Sequence, residues 1–221
     1  MNKLLFLIVV VFVICDETKD LIIIGDHRIE GMAIILIGAE MTSFKYKGGY
    51  YSAIMTQKPI SYNDYNVEIT AVTIVNNLIN EFSDPTIHVH NQLKNAKDGT
   101  NVLLSIGINN LNDFNSIAAF IEKLADKYKN LNFYVISLVG VDENLCDILN
   151  SSIKEFNKKM ENSIELFELS NLKYKSILNE ENPTKITVNG EVVNILDYVL
   201  GDTDFSKDGY EKIFNAMVEG L

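Results

Sequence analysis

The sequence predicts an α/β domain, a three-layer arrangement in which helices cover both faces of a parallel sheet. Three observations carry this expectation. The apolar runs at residues 21–24, 101–106 and 132–138 have the length of strands buried on both faces, and the first is rich in β-branched residues. Between such runs lie stretches with apolar residues at helical spacing, and strands alternating with helices imply parallel neighbours joined by crossovers. Two of the runs also end in glycine and then polar residues, Gly25-Asp26-His27-Arg28 and Gly107-Ile108-Asn109-Asn110. Open α/β sheets keep their working residues just beyond the carboxyl ends of strands. With 221 residues, 47% hydrophobic and 22% charged, the chain suits one globular domain with a full core.

The first fifteen residues stand apart. Lys3 precedes eleven apolar residues, 4–14, and charge returns at Asp16, Glu17, Lys19 and Asp20. Eleven is too short to span a bilayer and fits the core of a signal peptide, with the small residues Val13 and Cys15 before a cleavage site. The expectation is a leader at 1–15, a single domain at 16–221, and a secreted or cell-surface protein without a membrane span once the leader is removed. Lipid attachment at Cys15 is the weaker alternative, because Ile14 is bulky. The mature chain then keeps one cysteine, Cys146, which excludes a disulfide framework within it.

Each element follows in order. Residues 21–24 form the first strand. Residues 30–40, apolar with Gly38 near their end, predict a short helix running into a loop. Residues 41–46 suit a second strand, closed by Lys47-Gly48-Gly49, and the Tyr- and Asn-rich 50–66 a loop with a helical turn. Val67, Ala71, Ile74, Val75, Leu78 and Phe82 recur at helical spacing and predict a helix over 67–82. Residues 86–90 alternate as a short strand does, and 91–97 are helical. Residues 101–106 form a strand, and Asn115 or Ser116 caps a helix to Tyr128. Residues 132–138 are a strand. Residues 145–160 are an amphipathic helix with Ile148, Ile153, Phe156 and Met160 on one side, and 164–169 a further strand. Asn189-Gly190 between alternating apolar residues at 185–193 is a two-residue hairpin signal. Ser206 caps a last helix reaching Val218.

Four blocks in order carry a resemblance: Ile24-Gly25-Asp26-His27-Arg28, Lys47-Gly48-Gly49, Gly107-Ile108-Asn109-Asn110, and the segment from Gly201 to Tyr210 before the last helix. On this strand–helix pattern the chain resembles the SGNH (GDSL-like) hydrolase superfamily, closest to small secreted members whose first block reads Gly-Asp-Ser-Arg. The resemblance runs from Leu21 to the C-terminus. It implies a flavodoxin-like parallel sheet and a fold used to hydrolyse esters and acyl groups with a Ser nucleophile, a His base and an orienting Asp. By position, Asn109 matches the amide of the oxyanion site and Gly48 or Gly49 its glycine. The catalytic positions depart from the pattern. His27 stands at the nucleophile position, Asp204 at that of the final His, Gly201 three before it, and Asn110 at the acid of the third block. The resemblance therefore implies a retained scaffold with the triad replaced, and a cleft kept for binding a carbohydrate or acylated glycan.

Each of these residues also has a purely structural role open to it, and that reading is preferred for several. Asp26 braces its own turn, Arg28 serves an ion pair or turn, and Asn109 satisfies turn backbone groups. His27 is a partly buried imidazole, while Asp202 and Asp204 end a loop and Asp208 sits in a first helical turn favoured by the dipole. Two routes keep activity open. His27, oriented by Asp202 or Asp204, could act as a base on water or attack a phosphoryl group; alternatively, an active esterase or acetyl hydrolase is rebuilt from other residues, with Ser43, Ser52 or Ser105 as nucleophile. A third reading is a surface interaction protein using the Tyr-rich stretch 46–65. His88 and His90 alternate, but two ligands without a third do not make a metal site, so no metal is expected. No cofactor is implied, since no phosphate-binding glycine loop is present. The net charge of −11 argues against nucleic acid and against anionic membrane surfaces. Asn150-Ser151-Ser152 is a glycosylation acceptor if a eukaryotic host secretes the chain.

Overall fold

The computed structural model describes residues 18–46, 49–140, 146–180, 182–200 and 204–221. The expectations placed on the leader 1–15, on Gly48 and on Gly201 and Asp202 fall outside the described residues. In chain order the elements are β1 (Lys19–Gly25), α1 (His27–Ile37), β2 (Met41–Tyr46), β3 (Gly49–Met55), β4 (Ile60–Tyr62) and β5 (Tyr65–Val72). There follow α2 (Asn76–Ile79), α3 (Asp84–Asn95), β6 (Asn101–Ser105), α4 (Phe114–Lys127), β7 (Asn132–Ile136), α5 (Cys146–Phe167) and β8 (Leu172–Lys175). The last part holds β9 (Leu178–Asn179), β10 (Asn182–Val188), β11 (Glu191–Asn194), β12 (Val199–Leu200), β13 (Asp204–Phe205) and α6 (Lys207–Val218).

The main sheet runs β2-β3-β5-β1-β6-β7-β8, with β4 added to β5. Its strands β5, β1, β6, β7 and β8 are mutually parallel, while β2 and β3 form an antiparallel hairpin at one edge. Counting only the parallel strands, the spatial order is 2-1-3-4-5, the flavodoxin-like order. The chain steps to one side of β1 with β5 and to the other with β6, so a crevice opens at the carboxyl ends of β1 and β6.

Alternation along β1 builds two cores. Ile22 and Ile24 face the layer of α3, α4 and α5, meeting Leu93, Ile121 and Phe156. Leu21 and Ile23 face α1 and α6, meeting Met32, Phe214 and Met217. Each fully buried aliphatic side chain of this kind stabilises the fold by about 1.5–3 kcal/mol. Both faces of β1 are dry, which is why its sequence is an unbroken apolar run rather than an alternating one.

Several elements depart from the sequence expectations, each for a local reason. Residues 67–82 are not one helix: they hold most of β5 and the short α2. Because β5 lies between β1 and β3, Val67, Ile69 and Ala71 are buried on one face and Thr70 and Val72 on the other, and the resulting apolar run also fits helical spacing by coincidence. Residues 50–66 are strands β3 and β4 rather than loop. Residues 86–90 lie inside α3, where Ser83 accepts the Thr86 N–H at 3.4 Å and Pro85 occupies the first turn. Residues 164–167 end α5, since Ile164 continues the Ile153, Phe156, Met160 stripe, and the fourth crossover strand is β8. Ile148 is 82% exposed and stands off that stripe. Asp113, not Asn115 or Ser116, precedes α4. The Asn189-Gly190 hairpin forms between β10 and β11 with φ of 52° and 78°, and Ser206 caps α6 by accepting the Gly209 N–H.

Candidate functional site

The site is built from the turn that follows β1. At Gly25 a Cβ would press into Ile29 and the Ser105 carbonyl, so only glycine lets α1 start so close to the sheet. Asp26 is extended, caps α1, and is 1% exposed. Its Oδ1 accepts the Arg28 N–H at 3.3 Å, and its Oδ2 accepts the N–H groups of Gly107 and Ile108 at 3.2 and 3.0 Å. Burial pushes the carboxyl above its ordinary value, opposed by the neighbouring His27 and Arg28. Asp26 thus braces two turns at once. Gly107 makes this approach with a φ of 131°, over the Phe156 ring.

His27 opens α1 and is partly exposed; its Nδ1 is screened from solvent and has no hydrogen-bond partner among the described residues. One turn later comes Glu30, 7% exposed, whose Oε2 accepts the Thr73 hydroxyl at 2.7 Å. Thr73 follows β5, and its carbonyl accepts the side-chain amide of Asn109 from the turn after β6. The loops after β1, β5 and β6 are therefore tied together at the crevice. A cavity of about 680 Å³ opens above them. Its polar lining is His27, Glu30, Thr73, Asn109 and Asp204, and its apolar lining is Ile34, Ile35, Leu200 and Phe205. Asp204 is held by the β12–β13 pair opposite Leu200, and receives the Tyr210 hydroxyl at 3.5 Å. Burial and the adjacent Asp204 push Tyr210 up to about 12.

Arg28 faces away from this cavity. It is 8% exposed, donates Nη1 to the Val139 carbonyl, and lies 5.8 Å from the centre of the Phe205 ring. Its partner is a carbonyl and an aromatic face rather than an acid. Desolvation lowers it to about 10, which leaves it charged. Behind it is an internal cavity of about 20 Å³ shared with Asp26, Ser105, Ser137 and Tyr210.

Of the residues singled out in the sequence, His27, Asn109 and Asp204 share the cavity, and Asp26 and Arg28 support it from behind. Asn110 is one residue away from the lining, in the short 3-10 turn 108–110. Gly49 opens β3, opposite Tyr46 on the edge hairpin; the loop beside the end of β1 is the one after β5, and Thr73 occupies it. Glu30 and Thr73 were not anticipated. Glu30 was legible as a carboxylate three residues after His27 on one helix face, whereas Thr73 could not be placed while 67–82 read as a helix. Ser43 and Ser52 pair across the β2–β3 hairpin, and Ser105 lines the internal cavity, so none of the three faces His27 across the cleft. His88 and His90 do not share a strand face. They lie on α3 about 200° apart around the axis, with His90 Nδ1 2.9 Å from the Tyr128 hydroxyl. Among the described residues no group of three or more His, Cys, Asp or Glu is placed to hold a metal ion.

No family model matches the chain, and no curated protein matches it. Solved structures do. A Streptococcus pneumonia protein assigned as a platelet activating factor aligns with 92% of this chain and 84% of its own, at 14% identity and a TM-score of 0.56. An acetylxylan esterase from Geobacillus stearothermophilus aligns with 92% of this chain and 94% of its own, at 12% identity and a TM-score of 0.52. An alpha/beta hydrolase from the metagenome of Lake Arreo, Spain, aligns with 90% and 92%, at 13% identity and a TM-score of 0.52. At such identities the likeness is one of fold. The chain has a hydrolase-like α/β fold shared with esterases, along nearly its whole length.

Proposed function

We propose that the chain is a secreted SGNH-hydrolase-like protein whose cleft binds an acylated, glycan-type ligand without hydrolysing it. One observation carries the proposal. The position after β1, where the resemblance requires a serine, is an imidazole, and the chain's two other histidines lie on α3. A hydroxyl nucleophile needs an adjacent base, and the cavity holds carboxylates and one histidine but no serine. One N–H of the Asn109 amide is held by the Thr73 carbonyl, which fixes the amide beside the cavity. The test compares aryl acetate turnover by the purified parent, His27→Ser and His27→Ala. The expected result is no turnover above the buffer rate in any of them, alongside calorimetric binding of acetylated xylooligosaccharide by the parent. Parent turnover that disappears in His27→Ala would overturn the reading, as would restored turnover in His27→Ser.

A second reading is favoured by one contact. The exposed Thr73 hydroxyl donates to the buried Glu30 carboxylate in the same cavity, which is a hydroxyl with a base beside it. In this alternative the chain is an esterase with a non-standard catalytic set. It requires turnover that His27→Ser tolerates and Thr73→Ala abolishes.

A further inference from the structure

Helix α1 has two apolar faces, and only one of them is spent on the core. Ile29, Met32 and Ala33 are buried against the sheet and α6. His27, Glu30, Gly31, Ile34 and Ile35 fall at spacings of three, four, seven and eight, which is a single opposite face. That face lines the 680 Å³ cavity along its length. Its N-terminal turn is polar and its C-terminal turns are aliphatic: Ile34 is 43% exposed and Ile35 39%. Across the gap Leu200, 56% exposed, repeats the aliphatic character. Three of the large exposed aliphatic side chains of the described residues thus line one cavity, the two isoleucines at the end away from His27.

The cavity has a definite charge. Glu30 and Asp204 both line it, and no Lys or Arg among the described residues does; Arg28 is turned to the Val139 carbonyl. An anionic head would meet two carboxylates, with Arg28 acting on Asp204 only from behind the cavity, on a chain of net charge −11. An uncharged or cationic head would not.

We propose that the cavity takes a single-chain amphiphile, its aliphatic chain against Ile34 and Ile35, its uncharged or cationic head against Glu30 and His27, and the Leu200–Asp204 pair across from it. This rests on the reading of the cleft as a binding site for an acylated ligand, and it specifies that ligand: affinity rises as the acyl chain lengthens beyond acetyl, and the sugar or other head carries no negative charge. The volume lies within the range of ligand sites. The direction of the chain follows from α1, since the helix places its carboxylate one turn from the sheet and its isoleucines two turns from it.

The test is calorimetric binding to the full chain, with each probe below its micellar concentration. Hexyl, heptyl and octyl glucoside should bind with affinity rising roughly three- to fourfold per methylene, the value expected for burial of each CH₂. Methyl glucoside, shorter than octyl glucoside by seven methylenes, should bind roughly several thousandfold more weakly on the same scale. Octyltrimethylammonium should bind at least as well as octyl glucoside, and octyl sulfate about tenfold more weakly. Ile34→Asp, at a surface position, should leave the circular dichroism spectrum unchanged and reduce octyl glucoside affinity by about tenfold or more. Affinity independent of chain length overturns the proposal, as does octyl sulfate binding equal to that of the glucoside. Sedimentation showing a parent dimer that Ile34→Asp dissociates also overturns it, because a second copy of the chain would then cover the face. The two proposals fail separately. Acetylated xylooligosaccharide binding without any chain-length dependence removes this one alone. Ester turnover lost in His27→Ala removes the non-hydrolytic reading while leaving the chain-length dependence in place.

Discussion

Asp26 Oδ2 accepts the backbone N–H of Ile108 at 3.0 Å, across 82 residues of sequence. With the Gly107 and Arg28 donors, this makes one buried carboxylate the fastener between the ends of β1 and β6. Asp26→Ala should destabilise the fold by about 2–4 kcal/mol, because buried N–H groups lose their acceptor. Asp26→Asn keeps one acceptor oxygen and should lose about half as much. Urea unfolding of the three proteins decides it, and a variant ranking of Ala above Asn would be inconsistent with the bracing role.

Arg28 joins the β1 turn to Val139 and to Phe205 from inside the protein. Arg28→Met should destabilise by about 3 kcal/mol, since the Val139 carbonyl and the Asp26 carboxylate lose their nearby cation. Arg28→Lys should recover only part of this, because an ammonium does not lie flat on a ring or offer a planar fork. Full recovery by Lys, read from urea midpoints, would show that charge alone matters there.

Gly31 sits directly under Tyr210, and a Cβ at that position would overlap its hydroxyl. Gly31→Ala should destabilise by about 1–3 kcal/mol through overpacking. Tyr210→Phe removes the obstructing oxygen, so the double variant should be more stable than the two single losses add up to. The coupling is expected to exceed about 0.5 kcal/mol in a double-mutant cycle of thermal or urea unfolding.

His88 and His90 are both held below the ordinary imidazole value, chiefly by burial. A histidine whose folded value is depressed binds fewer protons folded than unfolded. Stability from it is complete above the ordinary value near ~6.5 and declines as the pH falls toward the folded value. His88 Nε2 has no partner among the described residues, so His88→Gln removes its titration while leaving the His90–Tyr128 contact intact. The melting temperature of the parent should fall more steeply than that of His88→Gln between about pH 7 and pH 5. Parallel curves would dismiss the linkage.

Legibility in the sequence followed how many interpretations each segment allowed. β1, β6 and β7 are short, uninterrupted and bounded by glycine or polar turns, and they read correctly for the reason that they are buried on both faces. The Asn189-Gly190 turn and the Ser206 cap were legible because their chemistry is local: two positive φ angles in one case, one side-chain acceptor in the other. β5 was not legible, since the buried Val67 and Ala71 of the strand and Val75 beyond it happen to fall at helical spacing until a neighbour arbitrates. α3 carried a start signal in Ser83 and Pro85, which the alternation of His88 and His90 obscured. The site divided along the same line. Asp26, His27 and Asn109 sit at strand ends that were read correctly. Thr73 depended on β5, while Ile34, Ile35 and Leu200 became meaningful only once α1 and β12 were known to face each other across a gap.

The central position of β1 also bears on how the protein can be made. β1 is the first strand of the described chain, yet its two partners are β5 and β6, and 80 residues separate Gly25 from its neighbour Ser105. At a synthesis rate of about 5–20 residues per second, a ribosome takes roughly 4–16 s to supply that second partner. For that interval one edge of Leu-Ile-Ile-Ile stays open, with β5 as the only native partner made so far. Substitutions that lower its apolar character on one face should therefore raise soluble yield even where they lower final stability.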